Sequence, residues 1–175
     1  MKGDEHRGDW TVGDRLFVGV LGNRNSGKSS TWNDIFGATV RRGKYSRLLE
    51  LRTGECVEVY LVSGSFEERN EYAGDVLDDQ AAKIILCSMQ YTEDVGKTID
   101  YITKSSFDIF IQWLNPGYND TDQYFDRLGL VNLLLAKSAS LSMRNGKLAT
   151  TDRVAEIREF IYGWAQFRNL IVPCT

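Results

Sequence analysis

Several residue types are scarce in this 175-residue sequence, and each scarcity argues against a class of protein. There is one histidine, His6, and the three cysteines, Cys56, Cys87 and Cys174, lie far apart without metal-ligand spacing. A zinc site and a disulfide scaffold are therefore not expected, and the odd number of cysteines predicts free thiols in a reducing compartment. No apolar run approaches the roughly 20 residues that a membrane-spanning helix needs.

Excess charge of one sign is also missing. The 21 basic and 24 acidic side chains give a net charge of −3, which does not favour binding to nucleic acid or to an anionic membrane. The hydrophobic content of 42% is ordinary for a globular chain, so one domain over residues 1–175 is expected. Residues 1–14 are polar, lack the pattern of a signal peptide and are expected to form a flexible or peripheral segment. These features predict a cytoplasmic protein.

Alternating apolar runs and amphipathic stretches predict an α/β fold. The predicted strands cover residues 16–21, 45–53, 55–63, 82–89, 107–114 and 170–172. The predicted helices cover 29–36, 65–77, about 92–102, about 121–135 and 151–164. The short turn at Thr53 and Gly54 makes the second and third strands an antiparallel hairpin, and Ser65 with Glu68 forms a capping box at the start of the second helix.

The strongest motif is the segment 22–29, which fits G-x-x-x-x-G-K-[ST] at every required position. It follows an apolar strand and opens an amphipathic helix, which is the context that a phosphate-binding loop requires. Backbone N–H groups of such a loop converge on phosphates, and the helix N-terminus favours the same negative charge. The predicted nucleotide-binding residues are Gly22, Asn23, Arg24, Asn25, Ser26, Gly27, Lys28, Ser29 and Ser30.

Two side chains of this motif have predicted chemical roles. Lys28 would neutralise charge on the β- and γ-phosphates, and the Ser29 hydroxyl would bind Mg²⁺. The sequence here resembles the P-loop NTPases, and its layout is similar to their Ras-like GTPase branch. The resemblance implies a three-layer α/β/α fold with a mostly parallel sheet and one antiparallel hairpin strand. It also implies a Mg²⁺-dependent protein that binds GTP or ATP.

The resemblance implies further site residues, and here the sequence departs from the family pattern. Thr39 is in the segment where the family has a threonine that closes over Mg²⁺ and the γ-phosphate, so it is a candidate for catalysis and metal binding. Gly64 matches the glycine of the D-x-x-G motif, but Leu61 replaces its aspartate. The guanine-reading motif is absent after residue 114, where Asn115 and Asp120 have the wrong spacing. Preference for guanine or adenine therefore stays open.

The missing aspartate leaves the carboxylate ligand of Mg²⁺ unassigned. Four acids just beyond predicted strand ends are candidates, and each also fits the first turn of a helix: Glu67, Glu68, Glu93 and Asp94. The basic cluster at residues 41–47 has a functional interpretation, as an arginine that acts on the transferring phosphate or a surface for an acidic protein partner. Its structural interpretation is a solvated loop before an edge strand, where charge discourages aggregation. Trp113 is a candidate for stacking on the base, with a place in the core as the alternative.

Three functions follow from these residues. The first is a slow NTPase, since no water-positioning residue is evident beside the loop. The second is a non-catalytic switch, in which nucleotide orders residues 38–47 and the segment after Gly64. The third is a small-molecule or nucleotide kinase, for which Arg144, Arg153 and Arg158 are the candidate phosphate-binding arginines.

Overall fold

The structure is a computed structural model that describes residues 14–175; the first thirteen residues, including His6, lie outside the described part. The strands are β1 (Arg15–Gly22), β2 (Arg47–Arg52), β3 (Glu55–Val62), β4 (Ile84–Gln90), β5 (Phe107–Leu114), β6 (Ser140–Arg144) and β7 (Val172–Pro173). The helices are α1 (Lys28–Phe36), α2 (Phe66–Arg69), α3 (Ala73–Leu77), α4 (Val95–Lys104), α5 (Leu130–Ala136) and α6 (Thr151–Phe167). The chain is therefore α/β, as predicted.

One sheet organises the chain, with the strand order β2-β3-β4-β1-β5-β6 and with β7 paired to β3. The strands β3, β4, β1, β5 and β6 are parallel to one another. The strands β2 and β7 run antiparallel to β3, which confirms the predicted hairpin. The carboxyl ends of the five parallel strands therefore lie along one edge of the sheet, and β1 is in the middle of that edge.

Apolar side chains cover both faces of this sheet, because its central strands are hydrophobic at nearly every position. On one face, Trp32 and Ile35 of α1 and Ile157 and Ile161 of α6 pack against β1 residues such as Val18. On the other face, Phe17 and Leu21 of β1 pack with buried residues of α4 and α5, among them Ile99 and Leu134. Helices thus form a layer on each side of the sheet.

Two predicted helices are shorter in the structure. Residues 65–77 form α2 and α3, separated at Asn70, where φ is 52°. The helix predicted from about residue 121 begins only at Leu130. The Asn115 side chain bonds both the N–H and the C=O of Tyr124 (3.1 and 2.7 Å), so that these groups are not available to helical hydrogen bonds. The carboxylate of Asp126 then accepts the N–H of Val131 at 2.7 Å.

The prediction of three free thiols is wrong for two of them. Cys56 and Cys174 form a disulfide across 118 residues of sequence, and Cys87 is a buried free thiol. The pairing follows from β7, because Val172 is the register partner of Cys56 and brings the next residues alongside it. Without free thiols at these positions, the cysteine argument for a reducing compartment no longer holds. Among the described residues, no helix is long and apolar enough to cross a membrane.

Candidate functional site

The loop between β1 and α1 leaves the middle of the carboxyl edge. Its backbone has positive φ at Asn25 (57°) and at Gly27 (105°), with a residue of negative φ between them. Such alternation turns successive N–H groups toward one side and forms a concave surface that suits an anion. In the described part of the chain no side chain caps the first turn of α1, so the unsatisfied N–H groups at this helix end remain available to a ligand.

The Lys28 side chain folds back inside this loop. Its Nζ donates to the carbonyl oxygens of Asn23 (2.7 Å) and Gly22 (3.2 Å) and approaches Ser26 Oγ at 3.4 Å. The residue is only 7% exposed, and within residues 14–175 it forms no salt bridge. Desolvation lowers the pKa of the Lys28 ammonium, and Glu68, followed by Glu67 and Asp120, counteracts that shift. The loop therefore holds a buried cation without a paired anion.

Two further loops of the carboxyl edge close on the first one at Ser26. The Ser26 carbonyl accepts the N–H of Tyr118 at 2.9 Å. The N–H of Gly146 bonds the Pro116 carbonyl at 2.7 Å, and an added Cβ at Gly146 would lie 2.5 Å from Ser26 O. Only glycine allows this approach of backbone to backbone. The loops that follow β1, β5 and β6 are therefore held together as one rim.

A cavity of about 570 Å³ opens within this rim. Its lining comes from the β1–α1 loop, from the segment after β3, from the loops after β5 and β6, and from α6. The lining residues are Asn25, Ser26, Gly27, Lys28, Ser29, Ser30, Asp34, Ser63, Glu68, Tyr118, Gly146, Leu148, Ala149, Thr150 and Arg153. Six of the nine predicted phosphate-loop positions, residues 25–30, line this cavity, and Ser29 and Ser30 are exposed.

The two ends of the cavity differ in chemistry. On the β5–β6 side, Tyr118 and Leu148 are 64% and 66% exposed. On the β3–β4 side, Glu68 lines both this cavity and a second one, which Glu67 and Gln90 also line. One end therefore offers an apolar surface, and the other offers carboxylates and an amide.

Arg153 is the only one of the three candidate arginines that lines the cavity. It is 4% exposed, and its guanidinium donates to Thr31 Oγ1 (3.0 Å) and to the Leu148 carbonyl (3.1 Å). These bonds fix the loop after β6 to α1. Burial lowers the pKa of Arg153, with Asp34 opposing that shift. Arg144 instead forms a salt bridge with Glu156, and Arg158 bonds the Ile35 carbonyl.

Five predicted site residues are outside the lining of this cavity: Gly22, Asn23, Arg24, Thr39 and Gly64. Thr39 is exposed and follows the end of α1, whereas the loop lies at the start of that helix. Gly64 follows β3, which β4 separates from β1, and a Cβ added at Gly64 would first meet the side chain of Arg69. Ser63 and Glu68 line the cavity from that segment instead. The predicted roles of Thr39 and Gly64 remain predictions without support from a contact.

Other candidates have structural partners. Trp113 is 1% exposed and stacks on Tyr91 with ring centroids 5.0 Å apart, so it belongs to the core. Asp120 accepts hydrogen bonds from Asn23 (3.1 Å) and from the Gly117 N–H (2.7 Å), which ties the β5 loop to the first loop. In the basic cluster, Arg42 forms a salt bridge with Glu71 at 2.6 Å.

Among the four candidate acids, Glu68 is the one that lines the main cavity. Glu67 is held by the Gln90 N–H (3.0 Å) and by Thr98 Oγ1 (2.7 Å). Asp94 lines the second cavity and pairs with Lys97, and Glu93 is exposed. In the described part of the chain, no three acidic, histidine or cysteine side chains cluster as a preformed metal site.

Comparisons with known proteins add no further assignment. No protein-family model matches this chain, and no curated protein is significantly similar to it. Inferences about function therefore rest on the loop, the cavity and their chemistry.

Sequence reasoning missed several lining residues for identifiable reasons. Strand β6 is short, polar and largely exposed, so its period-2 pattern is weak and the loop with Gly146 and Leu148 was not placed at the edge. The apolar run predicts a strand that ends at residue 89, one residue short of Gln90. The topology could have identified both segments. The loop after β6 and Gln90 at the end of β4 both lie at carboxyl ends of parallel strands, where α/β proteins bind ligands.

Proposed function

We propose that this chain binds a nucleoside triphosphate with Mg²⁺ at the β1–α1 loop and hydrolyses it slowly. The observation that carries the proposal is Lys28. Within residues 14–175 its ammonium is buried and has no salt bridge, and burial lowers its pKa. A polyphosphate beside Nζ would offset that desolvation, because an opposite charge stabilises the protonated form. The N–H groups at the start of α1 would bind the same phosphates.

The two ends of the cavity support one orientation of the nucleotide. The exposed side chains of Tyr118 and Leu148 offer an apolar surface to a flat base. The phosphates would then follow the loop toward Lys28, with the terminal phosphate on the side of Glu68. Asn115 and Asp120, the only remnants of a guanine-reading motif, are bonded to Tyr124 and Asn23. Both ATP and GTP therefore remain candidate ligands.

Mg²⁺ fits the donors at the phosphate end. Ser29 and Glu68 both line the cavity, one with a hydroxyl and the other with a carboxylate. Mg²⁺ keeps several waters and is commonly held by one or two carboxylates together with substrate phosphates, so it does not need a preformed cluster of three side chains. When bound, the ion would neutralise charge on the phosphates. Ser29 and Glu68 would hold it.

The binding proposal is tested with fluorescent analogues of ATP and GTP. Titration of the wild type with and without Mg²⁺ should give saturable binding that requires the metal. Lys28→Ala should weaken this binding strongly, whereas Lys137→Ala, at an exposed lysine after α5, should not change it. Absence of saturable binding by either analogue would contradict the proposal.

Turnover is tested separately by the release of inorganic phosphate under the conditions of saturation. A slow release that Lys28→Ala abolishes supports the NTPase. Binding without any release supports instead the non-catalytic switch that the sequence left open. Release only when an acceptor substrate is present would support the kinase.

A further inference from the structure

Asp34 is an exposed residue of α1 that lines the main cavity together with Ser30. Residues four apart in a helix lie on the same face, so the two side chains follow one another along the part of the cavity wall that α1 provides. The helical rise puts Asp34 roughly 6 Å further from the N-terminus of α1 than Ser30. Asp34 therefore lies beyond the N–H groups to which the proposed function assigns the phosphates.

Thr150 holds the Asp34 carboxylate in place. The Thr150 hydroxyl donates a hydrogen bond to Asp34 Oδ2, and Thr150 also lines the cavity. Thr150 directly precedes α6, a position at which a threonine hydroxyl commonly accepts a hydrogen bond from an N–H group of the helix. Among the described residues it accepts no such bond. The hydroxyl is thus used to orient the carboxylate rather than to cap its own helix.

The carboxylate of Asp34 keeps most of its capacity to accept hydrogen bonds. An ionised carboxylate has about four acceptor positions, and within residues 14–175 the bond from Thr150 is the one side-chain hydrogen bond of Asp34. Asp34 forms no salt bridge in that part of the chain, because the guanidinium of Arg153 donates instead to Thr31 and to the Leu148 carbonyl. Asp34 therefore offers an oriented acceptor to a ligand in the cavity.

The position of Asp34 matches the sugar among the parts of a nucleotide. Ser30, one turn earlier on α1, is at the end assigned to the phosphates, whereas Thr150 follows closely on Leu148, which is assigned to the base. The ribose is the part that joins phosphate to base. A carboxylate repels a phosphate and loses hydration against an apolar surface, but it accepts hydrogen bonds from the 2′- and 3′-hydroxyls of a ribose.

We infer that Asp34 binds the ribose hydroxyls and that the site selects ribonucleotides over 2′-deoxyribonucleotides, an inference that rests on the proposed function. Thr150 is the positioning residue, because its hydroxyl fixes the carboxylate that the sugar contacts. The 2′-hydroxyl is the group by which proteins distinguish ribonucleotides from deoxyribonucleotides. ATP and GTP carry the same ribose, so this selection applies to both and is independent of the preference for a base.

The experiment measures Kd by calorimetry with unlabelled nucleotides and Mg²⁺. ATP and GTP are each compared with their 2′-deoxy and 2′,3′-dideoxy forms. The 2′-deoxy form should bind the wild type about tenfold more weakly, near the lower end for a hydrogen bond to a charged group, because Asp34 is exposed to water. The 2′,3′-dideoxy form, which lacks both hydroxyls, should bind more weakly still. Equal Kd values for the three sugars would overturn the inference.

Variants of the two residues separate sugar recognition from a merely structural role. Asp34→Ala should bring the ratio of the 2′-deoxy Kd to the ribonucleotide Kd within about twofold of one. Asp152→Ala removes an exposed carboxylate two residues after Thr150, outside the cavity lining, and should keep the wild-type ratio. Thr150→Val should lower the ratio, and Thr150→Ser, which retains the hydroxyl, should preserve it. A structural role would weaken binding of every nucleotide equally and leave the ratio unchanged, which would overturn the inference.

The remaining outcomes keep the two proposals apart. If the wild type binds ribonucleotides and deoxyribonucleotides equally well, the inference about Asp34 is wrong and the proposed function stands. If Asp34→Ala instead abolishes a preference between ATP and GTP and leaves the sugar ratio unchanged, the carboxylate contacts the base and the inference is also wrong. If the wild type binds no nucleotide of any sugar, both proposals are overturned.

Discussion

Gly146 offers a sharp test of how the site is built, because the clash that a side chain would cause there involves backbone atoms. A Cβ at this position would lie 2.5 Å from Ser26 O and 3.1 Å from both Gly117 Cα and Tyr118 N. None of these atoms belongs to a flexible side chain that can rotate away. Gly146 has no positive φ, so Gly146→Ala adds a steric clash without backbone strain. The loop after β6 must therefore separate from the β1–α1 loop.

The expected cost follows from this geometry. Overpacking at a tightly packed position lowers the free energy of unfolding by about 1–3 kcal/mol. In a chain of this size each kcal/mol lowers Tm by roughly 2–4 °C. Because Ser26 belongs to the loop that would bind the phosphates, nucleotide affinity should fall by about tenfold or more, which equals about 1.4 kcal/mol. Urea unfolding gives the first quantity, and titration with Mg²⁺-nucleotide gives the second.

Gly163→Ala is the matched control for Gly146→Ala. Gly163 lies within α6, and an added Cβ meets no atom within 4 Å. Alanine at an open helical position should raise the free energy of unfolding by about 0.5–1 kcal/mol and leave nucleotide affinity unchanged. Wild-type stability and affinity in Gly146→Ala would show that the three loops do not meet at Ser26, and the reasoning about the rim would be refuted.

Three other predictions concern the disulfide, two buried tyrosines and the arginine of the cavity. Reduction of the Cys56–Cys174 disulfide should lower the free energy of unfolding by about 2–4 kcal/mol, measured in urea with and without a thiol reductant. Burial raises the pKa of Tyr91 and of Tyr101 to about 12. Since the unfolded chain loses these protons near pH 10, stability should fall as pH rises from about 10 to about 12, and replacement of both by Phe should flatten that fall. Arg153→Ala should weaken nucleotide binding about tenfold, and Arg153→Lys should restore little, because one ammonium does not replace a guanidinium that bonds two acceptors.

Each of these predictions has a result that contradicts it. The double variant with Ser at Cys56 and Cys174 should not respond to reductant, and an equal response would assign the effect to another cause. A stability that stays constant or rises across the alkaline range would show that the tyrosines are not protected in the folded state. Nucleotide binding by Arg153→Lys with the wild-type affinity would mean that the positive charge alone matters at this position. The hydrogen bonds to Thr31 and Leu148 would then not be needed.

The parts of the fold that sequence predicts well are those with a strong local signal. The continuous apolar run before Gly22 became the central strand β1, and the alternation on both sides of Gly54 became the β2–β3 hairpin. Gly37 ends α1 in the left-handed conformation that glycine adopts readily, and Ser65 caps α2 through its bond to the Glu68 N–H at 3.1 Å. These features depend on residues close to each other in sequence.

The parts that sequence missed depend on distant partners. The helical spacing from residue 121 produced a helix only from Leu130, because Asn115 takes both backbone groups of Tyr124. The disulfide joins residues 118 apart and becomes visible only once β7 pairs with β3. In the site, the loop motif fixed the position of Lys28, but the cavity wall at Leu148 and Arg153 follows from the strand order. Local pattern carries no information about that order.

The most direct test of the central claim is the thermal unfolding of the wild type and of Lys28→Ala with Mg²⁺ and either ATP or GTP. A nucleotide at 100 times its Kd should add about 2.7 kcal/mol to the free energy of unfolding. At roughly 2–4 °C per kcal/mol, Tm should rise by several degrees. The account predicts this rise in the wild type and in Lys137→Ala, and its loss in Lys28→Ala. No rise with either nucleotide, or an equal rise in Lys28→Ala, would contradict it.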